Sequence, residues 1–189
     1  MSAVWIQLWV ERLTMDPAAW TAAHTLQLLL GRDAPQRVAR ADLWELAAEG
    51  ASDPVAERFE TWSKGSNLFV NPSRDKGVLL NGAPPDDGPS VARVVAIDRG
   101  ATESRPHALT LGHALGGKWR VRRGVVWTLA WPAERAAEVP ALVDRAAWAR
   151  RRRSGLLINA EAQEARIVHN RWSSPILPAA AQPAANGGA

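Results

Sequence analysis

Hydrophobic positions change their period several times along the chain, and the changes divide it into two similar series of elements. Trp5 to Val10 mixes β-branched, aromatic and polar residues in the manner of a strand. Asp16-Pro17 then supplies an N-cap and a proline at the first helical position, and Ala19, Ala22, Leu26 and Leu29 recur at helical spacing until Gly31. Arg37 to Leu46 reads as a second strand. Asp53-Pro54 repeats the helix start, and Val55, Phe59 and Trp62 form one apolar stripe. Leu68-Phe69-Val70-Asn71-Pro72 ends this helix, and Val78 to Leu80 forms a short closing strand.

Residues 81–90 lack apolar periodicity and are rich in Pro, Gly, Asp and Asn, which marks a linker. Beyond it the order returns: strand Val91 to Ile97, helix Ala108 to Leu115 with Gly116 after it, strand Val121 to Trp131, helix Pro140 to Arg153, and strand Ala165 to Val168. Individual residues return with it. Leu30-Gly31 matches Leu115-Gly116, Arg40 to Leu46 matches Arg123 to Leu129, Pro54 and Trp62 match Pro140 and Trp148, and Ser66 to Asn71 matches Ser154 to Asn159. The offsets of 85, 83, 86 and 88 drift only by loop-sized insertions.

Alternating strands and amphipathic helices predict an α+β fold of two tandem two-layer α/β sandwich units, with helices on one face of a sheet. The units span residues 1–80 and 91–172, joined by the 81–90 linker and followed by a flexible tail at 173–189. Each reads β-α-β(β)-α-β. The bracketed strand depends on whether the chain turns back as a hairpin at Ala41 or Gly124, which the sequence leaves open.

Composition narrows the function. With 47% hydrophobic residues in 189, the chain can bury a sizeable core. No apolar run approaches the ~20 residues of a membrane-spanning helix, and the N-terminus lacks the pattern of a secretory signal, so a cytoplasmic location is expected. Absence of cysteine excludes disulfides, thiolate metal sites and thiol nucleophiles. Ten tryptophans, no tyrosine and two phenylalanines make Trp the main aromatic packing residue, with Trp44 and Trp127 at matched positions. The net charge of +4 hides an asymmetry: residues 1–85 carry 8 basic and 10 acidic side chains, residues 86–189 carry 15 and 9.

Candidate chemistry is sparse. Gly112 to Lys118 matches Gly-x4-Gly-Lys, but Trp119 follows where a phosphate-binding loop needs Ser or Thr, and a helix leads into a strand rather than the reverse, so a helix-ending glycine turn is expected. His24, His107, His113 and His169 lack metal-ligand spacing. Glu60 and Lys64 form an ordinary i, i+4 surface pair. Arg150 to Arg153 would complement a helix C-terminus or face an anionic partner. No catalytic residue, metal ligand or cofactor site is assigned.

The landmarks together resemble PurS, the small subunit of phosphoribosylformylglycinamidine synthase. They are Asp16-Pro17 opening the first helix, the Arg123-Gly124-Val125-Val126-Trp127-Thr128-Leu129 strand and Leu68-x-x-Asn71-Pro72 ending the second helix. The resemblance covers residues 3–80 and, more weakly, 91–168. It implies a self-associating α/β sandwich that joins the synthase and glutaminase subunits, helps ammonia pass between them and catalyses nothing. With two copies in one chain, it implies an intrachain pseudo-dimer. Asn71, Pro72, Asn159, Arg123, Arg150 and Arg151 are then the candidate partner contacts. Self-association into a homo-oligomer is expected, membrane contact is not, and nucleic-acid binding ranks below a protein partner. The alternatives are a diverged duplicated paralogue with another role and a basic nucleic-acid-binding protein.

Overall fold

The computed structural model describes residues 3–49, 54–80, 88–98, 104–148, 156–158 and 163–169. Among the described residues six strands and four helices follow in the order β1 (Ala3–Arg12), α1 (Pro17–Leu30), β2 (Arg37–Glu49), α2 (Val55–Lys64), β3 (Asp75–Leu79), β4 (Val91–Asp98), α3 (Arg105–Leu115), β5 (Lys118–Ala130), α4 (Val139–Ala147) and β6 (Gln163–Val168). The strands form one antiparallel sheet in the order β3-β1-β2-β5-β4-β6. Its centre is the β2–β5 ladder, both strands 13 residues long, running from Arg37 opposite Ala130 to Glu49 opposite Lys118. Ala41 and Gly124 lie inside these strands, so neither is a hairpin corner. The described residues therefore form an α+β fold built on one six-stranded antiparallel sheet.

Local signals explain most helix ends. Asp16 caps α1, its carboxylate accepting from the Ala18 amide at 2.8 Å. Gly31 and Gly116, both at positive φ, close α1 and α3. The Gly-x4-Gly-Lys match is thus a helix end leading into β5. In α2 the cap position falls on Pro54 itself, with Pro at the N-cap rather than the first turn. Asp53, expected as the cap, lies outside the described residues.

The expected helix from Pro140 to Arg153 stops at Ala147. Backbone amides of Leu156, Leu157 and Ile158 donate to the carbonyls of Ala146 and Ala147 at 2.8–3.1 Å, occupying acceptors near the helix end. Trp148 turns extended and bridges to Ile158. Sequence periodicity carries no trace of a segment returning from ten residues away.

All four helices contribute to two cores on one face of the sheet, because even positions of β2 and odd positions of β5 serve both. The first core joins Ala22 and Leu26 of α1 to Ala92 and Val94 of β4, Leu129 of β5 and Leu142 and Val143 of α4. The second joins Leu111 of α3 to Ile6 and Leu8 of β1, Leu46 of β2 and Val55 and Phe59 of α2. Each core thus takes one helix from the opposite half of the chain. The other sheet face buries Trp9, Ala41, Leu43, Val95 and Val126 with the polar Gln7, Glu45 and Arg122.

Charge also crosses the midline. Arg123 pairs with Asp42, Arg122 with Glu45, Lys118 and Arg120 with Glu49, and Arg135 and Arg145 with Asp33. In every one of these pairs the cation comes from the second half and the acid from the first, so the compositional asymmetry is spent joining the halves. Hydrogen bonds from Arg135 and then Arg145 hold the Asp33 carboxyl below the usual carboxylate range.

Candidate functional site

A polar cavity of about 310 Å³ opens where the end of β1, the start of α1, the middle of β2 and β5, and the 67–75 segment meet. Four guanidinium groups line it: Arg12, Arg40, Arg74 and Arg123. Three carboxylates, Asp16, Asp42 and Asp75, fix them. Asp42 takes Arg123 Nη2 at 2.7 Å and Arg40 Nη2 at 3.3 Å on its two oxygens. Arg40 Nη1 also reaches Asp16 at 3.4 Å. Arg74 donates from Nε and Nη2 to Asp75 at 3.0–3.2 Å, and Arg12 stands 3.7 Å from the same carboxylate.

The turn that presents Arg74 and Asp75 is built by Asn71. Its side-chain oxygen accepts from the Ser73 amide at 3.1 Å, and its carbonyl accepts from the amides of Arg74 and Asp75. Hydrogen bonds from Arg74 hold the Asp75 carboxyl below its ordinary range, and the Asn71 amide acts in the same direction. Pro72, exposed next to it, lines a second cavity of about 600 Å³ between the end of α2 and β3.

Aromatic groups form one wall. Trp44 lies under Arg123 and meets Phe69 edge-on, with ring centroids 5.1 Å apart. His107 of α3 packs against both rings and holds Ser104 Oγ at 2.6 Å through Nδ1. Burial pushes the His107 pKa down, and the nearby Arg123 charge pushes it the same way. It is a packed histidine. Among the described residues no cluster of three or more histidines and acids could hold a metal ion, and none of the described helices is long and apolar enough to cross a membrane.

The structure brings Asn71 and Arg123, far apart in sequence, to the same cavity, while Pro72 lines the neighbouring one. Asn159, Arg150 and Arg151 lie outside the described residues. Arg12, Arg40 and Arg74 were missed by sequence reasoning. No spacing rule links them, because they come from a strand end, a strand middle and a turn. Comparison of the chain with family models, curated proteins and solved structures gives no match.

Proposed function

We propose that the chain is an end-to-end duplication of a PurS-like unit, folded as one pseudo-dimer, and that it is a non-catalytic interaction subunit associated with phosphoribosylformylglycinamidine synthase in purine biosynthesis. The observation that carries this reading is the register of β2 on β5. Residues matched in sequence trade places across the ladder: Arg40 faces Trp127 and Trp44 faces Arg123, while Asp42 faces Val125, its own counterpart. A strand paired with its copy about a two-fold axis has this property. The outer strands fit the same exchange, since Leu79 faces Leu8 in one half and Ile167 faces Val94 in the other.

A self-associating subunit fused to its own copy has its dimer contact inside the chain, which frees the outer surfaces of the two halves to differ. Opposed charges across the midline favour this pairing over two like halves. Because Arg120, Arg122 and Arg123 are engaged with first-half carboxylates, the basic stretch of β5 supports a protein role better than nucleic-acid binding.

The test is co-elution of the tagged chain with the synthase and glutaminase subunits from the same source, together with glutamine-dependent synthesis assayed with and without it. The expected result is a stable complex, stimulated synthesis and no turnover by the chain alone. Full activity without the chain, and no complex, would overturn the reading in favour of a duplicated paralogue with another role.

A further inference from the structure

The geometry points to the arginine-lined cavity as a binding site for a phosphoryl group, carried by a small phosphate monoester or a phosphorylated side chain. Every carboxylate oxygen in the cavity already has a charged or amide partner: Asp75 on Arg74, Asp42 on Arg40 and Arg123, and Asp16 on Arg40 and the Ala18 amide. Donors remain. Both Nη groups of Arg12, Nη1 of Arg74 and the Nε and Nη1 of Arg123 hold no acceptor among the described residues. The Asn71 oxygen is engaged by Ser73, which leaves its amide nitrogen to donate. What the cavity can still accept is an oxyanion.

Charge agrees with that. Four guanidinium groups stand against three carboxylates, so the walls carry a net positive charge that favours an anion and disfavours a cation. Pairing to Asp75 and Asp42 limits the motion of Arg74 and Arg123, so less freedom is lost when a ligand arrives. Open donors come from a strand end, a turn and a central strand. Donors from three separate elements suit a tetrahedral group with three terminal oxygens better than a planar carboxylate with two. At about 310 Å³ the cavity matches a small ligand at the lower end of the usual range. This inference does not depend on membership of a synthase complex.

The test is calorimetric titration of the full chain with inorganic phosphate, ribose 5-phosphate, a phosphoserine peptide and acetate. Saturable phosphate binding is expected, with acetate at least about tenfold weaker. Tighter binding of ribose 5-phosphate than of the peptide would support a metabolite source, and the reverse a protein source. Arg74→Gln combined with Arg12→Gln should weaken phosphate binding about tenfold or more, whereas Arg166→Gln on β6 should not. Arg12→Gln alone, which removes no described hydrogen bond, covers the case in which the double variant does not fold; circular dichroism reports that. Absence of saturable binding, equal binding of acetate, or equal affinity in folded Arg12 and Arg74 variants would overturn the proposal.

Discussion

Arg123 lies over the indole of Trp44, 5.3 Å from its centre, and sits directly opposite it in the central ladder. Arg40 and Trp127 repeat the arrangement at 5.9 Å on the other side of Asp42. Cation–π contact covers one face of each ring and Asp42 holds both guanidinium groups, so three charges and two aromatics are fixed where the halves meet.

Asp42→Ala should therefore loosen both contacts at once. These pairs are partly solvated, so the expected cost is modest, about 1 kcal/mol, and smaller at high salt. Urea denaturation at low and high ionic strength checks this. Identical midpoints for the variant and the natural chain at low salt would refute it.

Glu45 behaves differently because it is fully buried. Gln7 donates to it at 2.7 Å, and Arg122, itself about 9% exposed, stands 3.6 Å away. Removing that carboxylate deprives a buried guanidinium of a counter-charge, and Glu45→Ala is expected to cost on the order of 3 kcal/mol. A loss under about 1 kcal/mol in equilibrium unfolding would contradict this account.

His107 gives the protein a pH dependence of definite sign. Burial lowers its pKa below the ordinary 6.5, so the unfolded chain takes up a proton at a higher pH than the folded one. Its neutral form is fully compatible with the fold above that value, and stability falls as pH drops from 6.5 toward the lowered pKa. Melting temperatures measured across that window should fall for the natural chain and change less for His107→Asn. Parallel profiles would remove His107 as the cause.

Exchanged helices predict that the halves do not fold independently. Leu111 of α3 is fully buried in the core formed with β1, β2 and α2. Leu111→Ala should cost ~2–5 kcal/mol, and residues 1–88 alone should lack a cooperative monomeric transition, since they lose Leu111, Trp119 and Val121 from that core. A monomeric, cooperatively melting fragment would show that the crossing helix is dispensable.

Element types were legible because each rests on local physics. Asp16-Pro17 starts a helix wherever it stands, Gly31 and Gly116 end helices because they accept positive φ cheaply, and the apolar spacing of Val55 and Phe59 fixes the buried face of α2. The matched tryptophans were visible too, although not that each would lie beneath the other half's arginine. Failures came where distant backbone or charge intervened. Helix α4 ends early because residues 156–158 take its last carbonyls, and the choice left open at Ala41 and Gly124 goes to extended strand, with Ala41 paired on both sides and Gly124 paired to Leu43.

The sequence by itself determined the succession of strands and helices, the Asp16 cap of α1, the glycine ends of α1 and α3, the apolar faces of α1 and α2, and the excess of acid in one half and base in the other. Those depend on neighbours within a few residues, or on composition alone. Only the tertiary structure decided that six strands form one sheet, that α1 and α3 cross to opposite cores, and that four arginines share one cavity. Strand order, helix exchange and convergence of side chains are set by which surfaces pack most completely across long separations, and no local period encodes that.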